Sequence, residues 1–331
     1  MRLFKQKKGI IFSLLAILLS TMFILILTGG LKNELDTNIE FSRSRADTIN
    51  AYYESFKDYS RFVFEMSAKA CVDAISFDMI QNTQFYSDED SFFEDIGYCM
   101  LTGNVTFPTE HELGIPNEFL VNNIFRVLTN LTKEEYKINT NYNITNISVT
   151  SYSPLEDIYP DEFKITAKIN IEIYDKDISL SPSGFQTIVN VKLNGMYDPL
   201  YSIETTELNR INDIIIIGKN DDHLRELTFN DFLDKVDYIQ YFKGVSIMNR
   251  ILGNSVESNE GLVYFLNRSL DYGDISYVDI HYMNSTYFSP SELFCEKSLG
   301  ACVGNFKIDS ITFAAMKTRY GLDTTGWERV S

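Results

Sequence analysis

From Leu31 to Gln81 the chain contains neither proline nor glycine. These two residues break helices most readily, and they are missing where apolar or small side chains recur every three or four positions. The series runs Leu35, Ile39, Ser42, Ala46, Ile49, Tyr53, Phe56, Ser60, Val63, Ser67, Ala70, Ala74 and Phe77. It approaches a heptad seam, and Tyr52, Tyr59, Phe62 and Met66 widen it into a face. One long amphipathic helix is therefore expected. Its second half, Asn50 to Gln81, has the pattern of a helix packed on the protein's own core.

What precedes this stretch sets its surroundings. Ile10 to Thr28 is 19 residues without a charge, proline or glycine. A helix rises about 1.5 Å per residue, so such a run just spans a hydrocarbon core of about 30 Å. A cleavable secretory segment is shorter, about 7–15 residues, and ends in small residues that Thr28-Gly29-Gly30 matches poorly. The length thus favours a retained anchor. Arg2, Lys5, Lys7 and Lys8 lie before it with no acid, which predicts a cytoplasmic N-terminus and an extracellular body on a single-pass chain. Gly29-Gly30 forms a soft joint where the helix would leave the membrane.

The basic leader ends in Lys8-Gly9 and passes directly into the apolar run at Ile10. This arrangement resembles the class III signal of type IV pilins, and especially the archaeal pilin-like pattern. The resemblance covers residues 1 to about 80. It implies that a membrane peptidase cuts between Gly9 and Ile10. It also implies that the apolar helix serves first as an anchor and then as the packed core of a filament. Leu14 stands where bacterial pilins carry glutamate, and Ile10 where many archaeal pilins begin with glutamine. The segments "GMYDPLYSIET", "YFKGVSIMNRILGN" and "GNFKIDS" are similar to uncharacterised archaeal membrane-anchored proteins, which bears on architecture and not on chemistry.

The body reads as α+β. "YSDEDSFFED" (Tyr86 to Asp95) is an acidic break, and Gly97 to Pro116 reads as strand and loop. Pro116 opens a helix running to about Tyr136, with Phe119, Ile124, Val127, Leu128 and Leu131 as its apolar face. "EFKITAKINIEIYDKD" alternates strictly, with Phe163, Ile165, Ala167, Ile169, Ile171 and Ile173 on one face. With strands at Tyr142 to Tyr152 and Phe185 to Met196 it makes an antiparallel meander, and the second half of the long helix is the natural cover for its apolar face. Ile211 to Lys219 reads as a buried strand. Helices are expected at Asp222 to Phe242, Ser246 to Leu252 and Asp309 to Tyr320, and short strands near Gly261 to Phe265 and Ile275 to Met283. The expected organisation is a leader (1–9), a transmembrane helix (10–28), the long amphipathic helix (29–82), a helix with the antiparallel meander (83–200), and a mixed α/β C-terminal region with a cysteine loop (201–331).

Four cysteines, Cys71, Cys99, Cys295 and Cys302, on an exported body favour two disulfides. Three pairings are open, and the one between sequence neighbours is expected. Neither pair has C-x-x-C spacing or a histidine nearby, so no metal is expected. Sequons at Asn104, Asn130, Asn143, Asn146, Asn267 and Asn284 are candidate glycosylation sites.

Chemistry is harder to find. The three histidines, His111, His223 and His281, lie in no metalloprotease motif, and no nucleophile elbow or phosphate loop occurs. "SDEDSFFED" and "KNDDHLRE" lack EF-hand spacing and its glycine. Outside residues 1–28 the chain carries 25 basic against 46 acidic residues, which argues against a nucleic-acid partner. The expectation is a pilin-like, membrane-anchored extracellular subunit, structural or adhesive, without catalytic activity or cofactor. It would hold the membrane through residues 10–28 and self-assemble through the N-terminal helix. A solitary envelope ectodomain that binds a ligand or partner protein is the alternative. An exported enzyme acting on glycans through two carboxylates is the third reading.

Overall fold

The computed structural model describes residues 18–20, 37–151, 160–175, 178–182, 184–212, 214–215, 238–241, 243–259, 261–266, 275–284, 286–298, 301–302, 306–319, 322 and 324–330. The chain is a mixture of helices and mainly antiparallel sheets. Of the apolar run only Leu18–Ser20 are described, and they are helical; the leader and the Gly29-Gly30 joint lie outside the described residues. Among the described residues no helix is long and apolar enough to cross a membrane.

The chain folds as two compact units, each assembled from separate stretches. One gathers residues through Ser67 with Asn117–Ser148 and Ile165–Val189; the other gathers Ala68–Pro116, Val149–Lys164 and Asn190–Ser331. Helix α1, Thr37–Asn82, contributes to both, as the proline- and glycine-free pattern requires.

In the first unit α1 buries Ile49, Tyr52, Phe56, Tyr59, Val63 and Phe64, one face at helical spacing. Its partners are α3 (Val121–Tyr136) and a sheet in which β3 (Asn139–Thr150) and β6 (Phe185–Lys192) flank β4 (Glu162–Tyr174), with the short β5 (Ser179–Leu180) also on β4. Phe56 is central to this core, its ring 4.9 Å from Phe125, 6.3 Å from Phe185 and 6.5 Å from Tyr142. These contacts lay the stretch of α1 around Phe56 over the sheet. β4 buries Ile165, Ala167, Ile169, Ile171 and Ile173 and exposes Lys168, Asn170 and Glu172. Ile173 pairs Leu180 and Tyr174 pairs Ser179 across an antiparallel ladder. Arg45 pairs with Asp175 and donates to the Tyr136 carbonyl, capping the end of α3.

The apolar face of α3 differs from expectation. Val121, Phe125, Leu128 and Thr132 are buried, whereas Val127 is 49% exposed. The helix opens at Val121, with Leu120 at its N-cap position, and not at Pro116; a 3₁₀ turn at Asn117–Phe119 precedes it. The later start selects the stripe that begins at Val121.

The second unit begins with the end of α1 and α2 (Glu89–Thr102). A helix here replaces the expected break and strand. The Asp88 side chain accepts from the Ser91 N–H at 2.8 Å, and Glu89 and Asp90 complement the dipole in the first turn. Phe92, Asp95, Ile96, Cys99 and Met100 then bury one face. Cys99 is disulfide-bonded to Cys71 on α1. β1 (Asn104–Val105) and β2 (His111–Glu112) follow as a small antiparallel pair, and α4 (Pro199–Thr205) comes after the meander.

A five-stranded sheet orders β10 (Glu257–Ser258), β9 (Gly244–Val245), β11 (Gly261–Tyr264), β8 (Tyr238–Tyr241) and β7 (Ile214–Ile215), the last pair parallel. Gly244 and Gly261 permit the β9–β11 crossing, since a Cβ on Gly261 would sit 2.0 Å from the Gly244 carbonyl oxygen. Tyr238–Tyr241 is thus strand where helix was expected; residues 222–237 lie outside the described residues. Helix α5 (Ile247–Ile251) follows the Ser246 cap, and α6 (Asp279–Met283) takes most of a segment expected as strand.

The last sheet joins β12 (Leu293–Ser298) to β13 (Ala301–Cys302), β14 (Ile308–Asp309) and β15 (Trp327–Arg329), with α7 (Ser310–Arg319) after β14. Trp327 is 8% exposed in the core cluster that also holds Ile239, Val263, Tyr277, Phe306 and Met316.

Candidate functional site

Among the described residues, the densest group of buried charge lies in the second unit, around Arg250. Helix α5 presents it: Ser246 accepts from the Asn249 N–H at 3.1 Å, and Ile247 and Ile251 turn the same side into the core. The Arg250 guanidinium is 1% exposed. It donates to Asp198 Oδ2 and to Asp279 Oδ2, each at 2.5 Å, to the Leu262 carbonyl at 2.7 Å and to the Val245 carbonyl at 3.3 Å. One cation therefore holds two carboxylates and the adjacent strands β9 and β11.

Both carboxylates are themselves held by backbone. Asp198 is the N-cap of α4, where Pro199 supplies the first-turn residue without an N–H to satisfy. Its Oδ1 accepts from the Tyr201 N–H at 3.1 Å, and its Oδ2 from the Tyr238 hydroxyl at 2.7 Å. Asp279 Oδ1 accepts from the Ile280 N–H at 2.8 Å. Burial pushes the Asp279 carboxyl up, opposed by the charge of Arg250. Burial alone would lower Arg250, but the charges of Asp198 and Asp279 outweigh it and hold the guanidinium charged. Burial, followed by the Asp198 charge, raises Tyr238 well above its ordinary range.

Two further carboxylates organise backbone in the same unit. Asp95 is fully buried and accepts from the Tyr86 hydroxyl at 2.7 Å, the Thr106 N–H and hydroxyl at 2.7 Å each, and the Phe107 N–H at 3.1 Å. Asp309 accepts from the Ser276 hydroxyl at 2.8 Å, from His281 Nε2 at 3.3 Å, and from the Ile311 and Thr312 N–H groups at the start of α7. Burial would raise Asp309, yet the His281 and Thr312 hydrogen bonds and the His281 charge hold it at about 2. Serine, histidine and aspartate meet here, but in the order serine–aspartate–histidine. Activating a nucleophile requires histidine between the other two, so this is a clamp on α6 and α7.

Elsewhere in the unit, the half-buried Tyr197 ring meets the Phe77 ring at 5.1 Å, and the Arg210 guanidinium lies over it at 3.7 Å. Arg210 also pairs with Asp73 at 2.8 Å and donates to the Gly195 carbonyl. His111 meets Asp78 at 3.1 Å and the Thr109 carbonyl at 2.7 Å, and the Thr109 hydrogen bond raises its pKa. Among the described residues, no group of three or more His, Cys, Asp or Glu could hold a metal ion.

The residues singled out by sequence fall elsewhere. Lys8, Gly9 and Ile10 lie outside the described residues. Cys71 and Cys99 are both buried and joined, their Cα atoms 5.9 Å apart. Cys295 is disulfide-bonded, and Cys302 lies across the hairpin with its backbone paired to Lys297; the Cys302 side chain is outside the described residues. Asn130, Asn143, Asn146 and Asn284 are exposed, Asn104 is half-buried, and Asn267 is outside the described residues. The Arg250 group was not anticipated. Its local signals were Asp198-Pro199, which reads as a helix cap, and an arginine on the apolar side of "IMNRIL".

No family model, curated protein or solved structure matches this chain.

Proposed function

We propose that this chain is a pilin-like subunit, anchored by residues 10–28 with its body outside the cell, and structural or adhesive in role. The observation that carries the reading is the form of α1. It is 46 residues long, or about 69 Å at the usual helical rise. Its described residues run from Thr37, nine positions after the apolar run ends at Thr28. Arg43, Ser44, Ala46 and Asp47 are exposed, and the first described buried side chain is Ile49. From there the helix covers an antiparallel sheet. A helix exposed at Arg43–Ser44 and Ala46–Asp47 and packed from Ile49 on suits a subunit that presents one end to a membrane or to neighbouring copies. The buried disulfide suits an oxidising compartment.

Mass spectrometry of the full chain from its native membrane tests the proposal. A mature N-terminus at Ile10 supports it. A terminus at Met1, or beyond Gly30, overturns it; Met1 on an anchored monomer would instead favour a solitary ectodomain.

A further inference from the structure

Strand β3 presents an edge of the kind that a folded body must protect. It stands at the end of its sheet order, and among the described residues it pairs with β4 alone. It is 12 residues long, "NTNYNITNISVT", and contains no charge and no proline. Natural sheets protect such edges with lysine, proline, inward charges, bulges or a covering element, because a bare edge templates pairing with another chain. In a chain with a formal charge of −17, an uncharged edge of this length is a conspicuous omission.

Two protective devices remain. The first is a bulge. From Asn141 to Thr145 exposure alternates, with Asn141, Asn143 and Thr145 outward and Tyr142 and Ile144 inward. Asn146 is exposed as well, and the alternation then resumes in the opposite phase, with Ile147 inward and Ser148 outward. One extra residue at Thr145–Asn146 accounts for the shift.

The second device is the pair of sequons on either side of the bulge, Asn143-Ile-Thr145 and Asn146-Ile-Ser148. The bulge turns both asparagines and both hydroxyl residues outward, which a regular strand could not do for positions three apart. The Thr145 hydroxyl donates to the Lys168 carbonyl at 3.2 Å, yet the residue stays exposed. The sequons elsewhere differ in burial or in the bonding of the asparagine itself. Asn130 is exposed in the middle of α3, but Thr132 is 3% exposed and its hydroxyl donates to the Leu128 carbonyl. Asn104 is half-buried, and the Thr106 of its sequon is tied to buried Asp95 through both its N–H and its hydroxyl. Asn284 accepts from the Ser255 hydroxyl at 3.1 Å.

We infer that Asn143 and Asn146 are a pair of N-glycan acceptors, and that their glycans shield the β3 edge against strand addition. The inference rests on the reading that the body is exported. The donor is an oligosaccharide linked through phosphate to a polyisoprenoid lipid. The asparagine Nδ2 forms a bond to the sugar C1 as the C1–O bond to the lipid phosphate breaks. The lipid phosphate leaves with the bonding electrons, and one Nδ2 proton passes to a base of the transferring enzyme.

Glycopeptide mass spectrometry of the full chain from its native source is the test, with protease digestion of intact cells run beside it to report export. Glycan on Asn143 and Asn146, with Asn130 bare, is the expected result. Bare Asn143 and Asn146 on a protease-accessible body overturn the glycan assignment and leave the exported reading standing; an inaccessible body overturns both. Edge protection is tested with N143Q/N146Q, which should raise the oligomer fraction about twofold or more over wild type in the same detergent. Adding T145K, which puts a charge on the exposed strand, should return it to the wild-type level. A double variant that associates no more than wild type overturns the shielding role.

Discussion

Replacing Arg250 by methionine keeps most of the side-chain stem and removes the guanidinium. Asp198 and Asp279 would then face each other in the core without a cation, each 0% exposed. Removing one partner of a buried ion pair costs about 3–5 kcal/mol, because the remaining charge is uncompensated. Here one cation serves two carboxylates and the carbonyls of Val245 and Leu262, so the upper part of that range applies. The lone Trp327 lies in the core of the same unit, and its fluorescence reports that unit selectively during urea unfolding. With a slope of about 3 kcal/mol per molar urea, the midpoint should fall by about 1.3–1.7 M. R250M/D198N/D279N should recover more than half of the loss, since it removes the buried charges while asparagine can still cap α4. A shift for R250M below about 0.3 M, equivalent to about 1 kcal/mol, refutes the reasoning. So does a triple variant no more stable than the single one.

Two further outcomes follow from the same unit. Cys71–Cys99 closes a loop with a sequence separation of 28, so C71S/C99S should lose about 3.5 kcal/mol, read as an earlier urea midpoint by Trp327 fluorescence. An unchanged midpoint would assign that bond no role in stability. Asp309 is held at about 2 in the folded protein against an ordinary 3.8, so its contribution is present above pH about 4 and is lost as pH falls towards 2. The advantage of wild type over Asp309→Asn, about 2 kcal/mol near pH 6, should narrow to almost nothing at pH 2; a constant gap in acid titrations of the two proteins would show that Asp309 acts by packing alone.

The elements that could be read from sequence are those whose signal is local and whose surroundings follow from periodicity. β4 alternates because one face meets a core and the other water, and every isoleucine from Ile165 to Ile173 sits inside as its parity requires. Helix α1 needed only the absence of breakers and a repeating face. α2 was missed although its signals are also local: Asp88 accepts from Ser91, and Phe92, Ile96, Cys99 and Met100 share a face. The acidic run over its first turn reads as solvated loop unless the dipole is considered, and Gly97 then reads as a breaker rather than a buried position in close packing. α6 and β8 failed for a different reason. Each is only four or five residues long, too short for either period to declare itself. The two compact units could not be read linearly at all, since each draws on three stretches and β4 supplies residues to both.

The Arg250 group lies beyond any local reading because its members are far apart in sequence. Arg250 is 52 residues from Asp198 and 29 from Asp279, and Asp198 is 40 from Tyr238. Each residue has an ordinary local use: aspartate before proline caps a helix, and arginine ends a short one. Only the fold brings the charges together, and once they meet, the low dielectric of the core turns a capping residue into half of a buried ion pair. The same logic governs β3. Its alternation reveals a strand, but that the strand is an edge is a property of the sheet order. Only then does its want of charge matter, and only then do two sequons three residues apart become more than frequent motifs in a chain rich in asparagine.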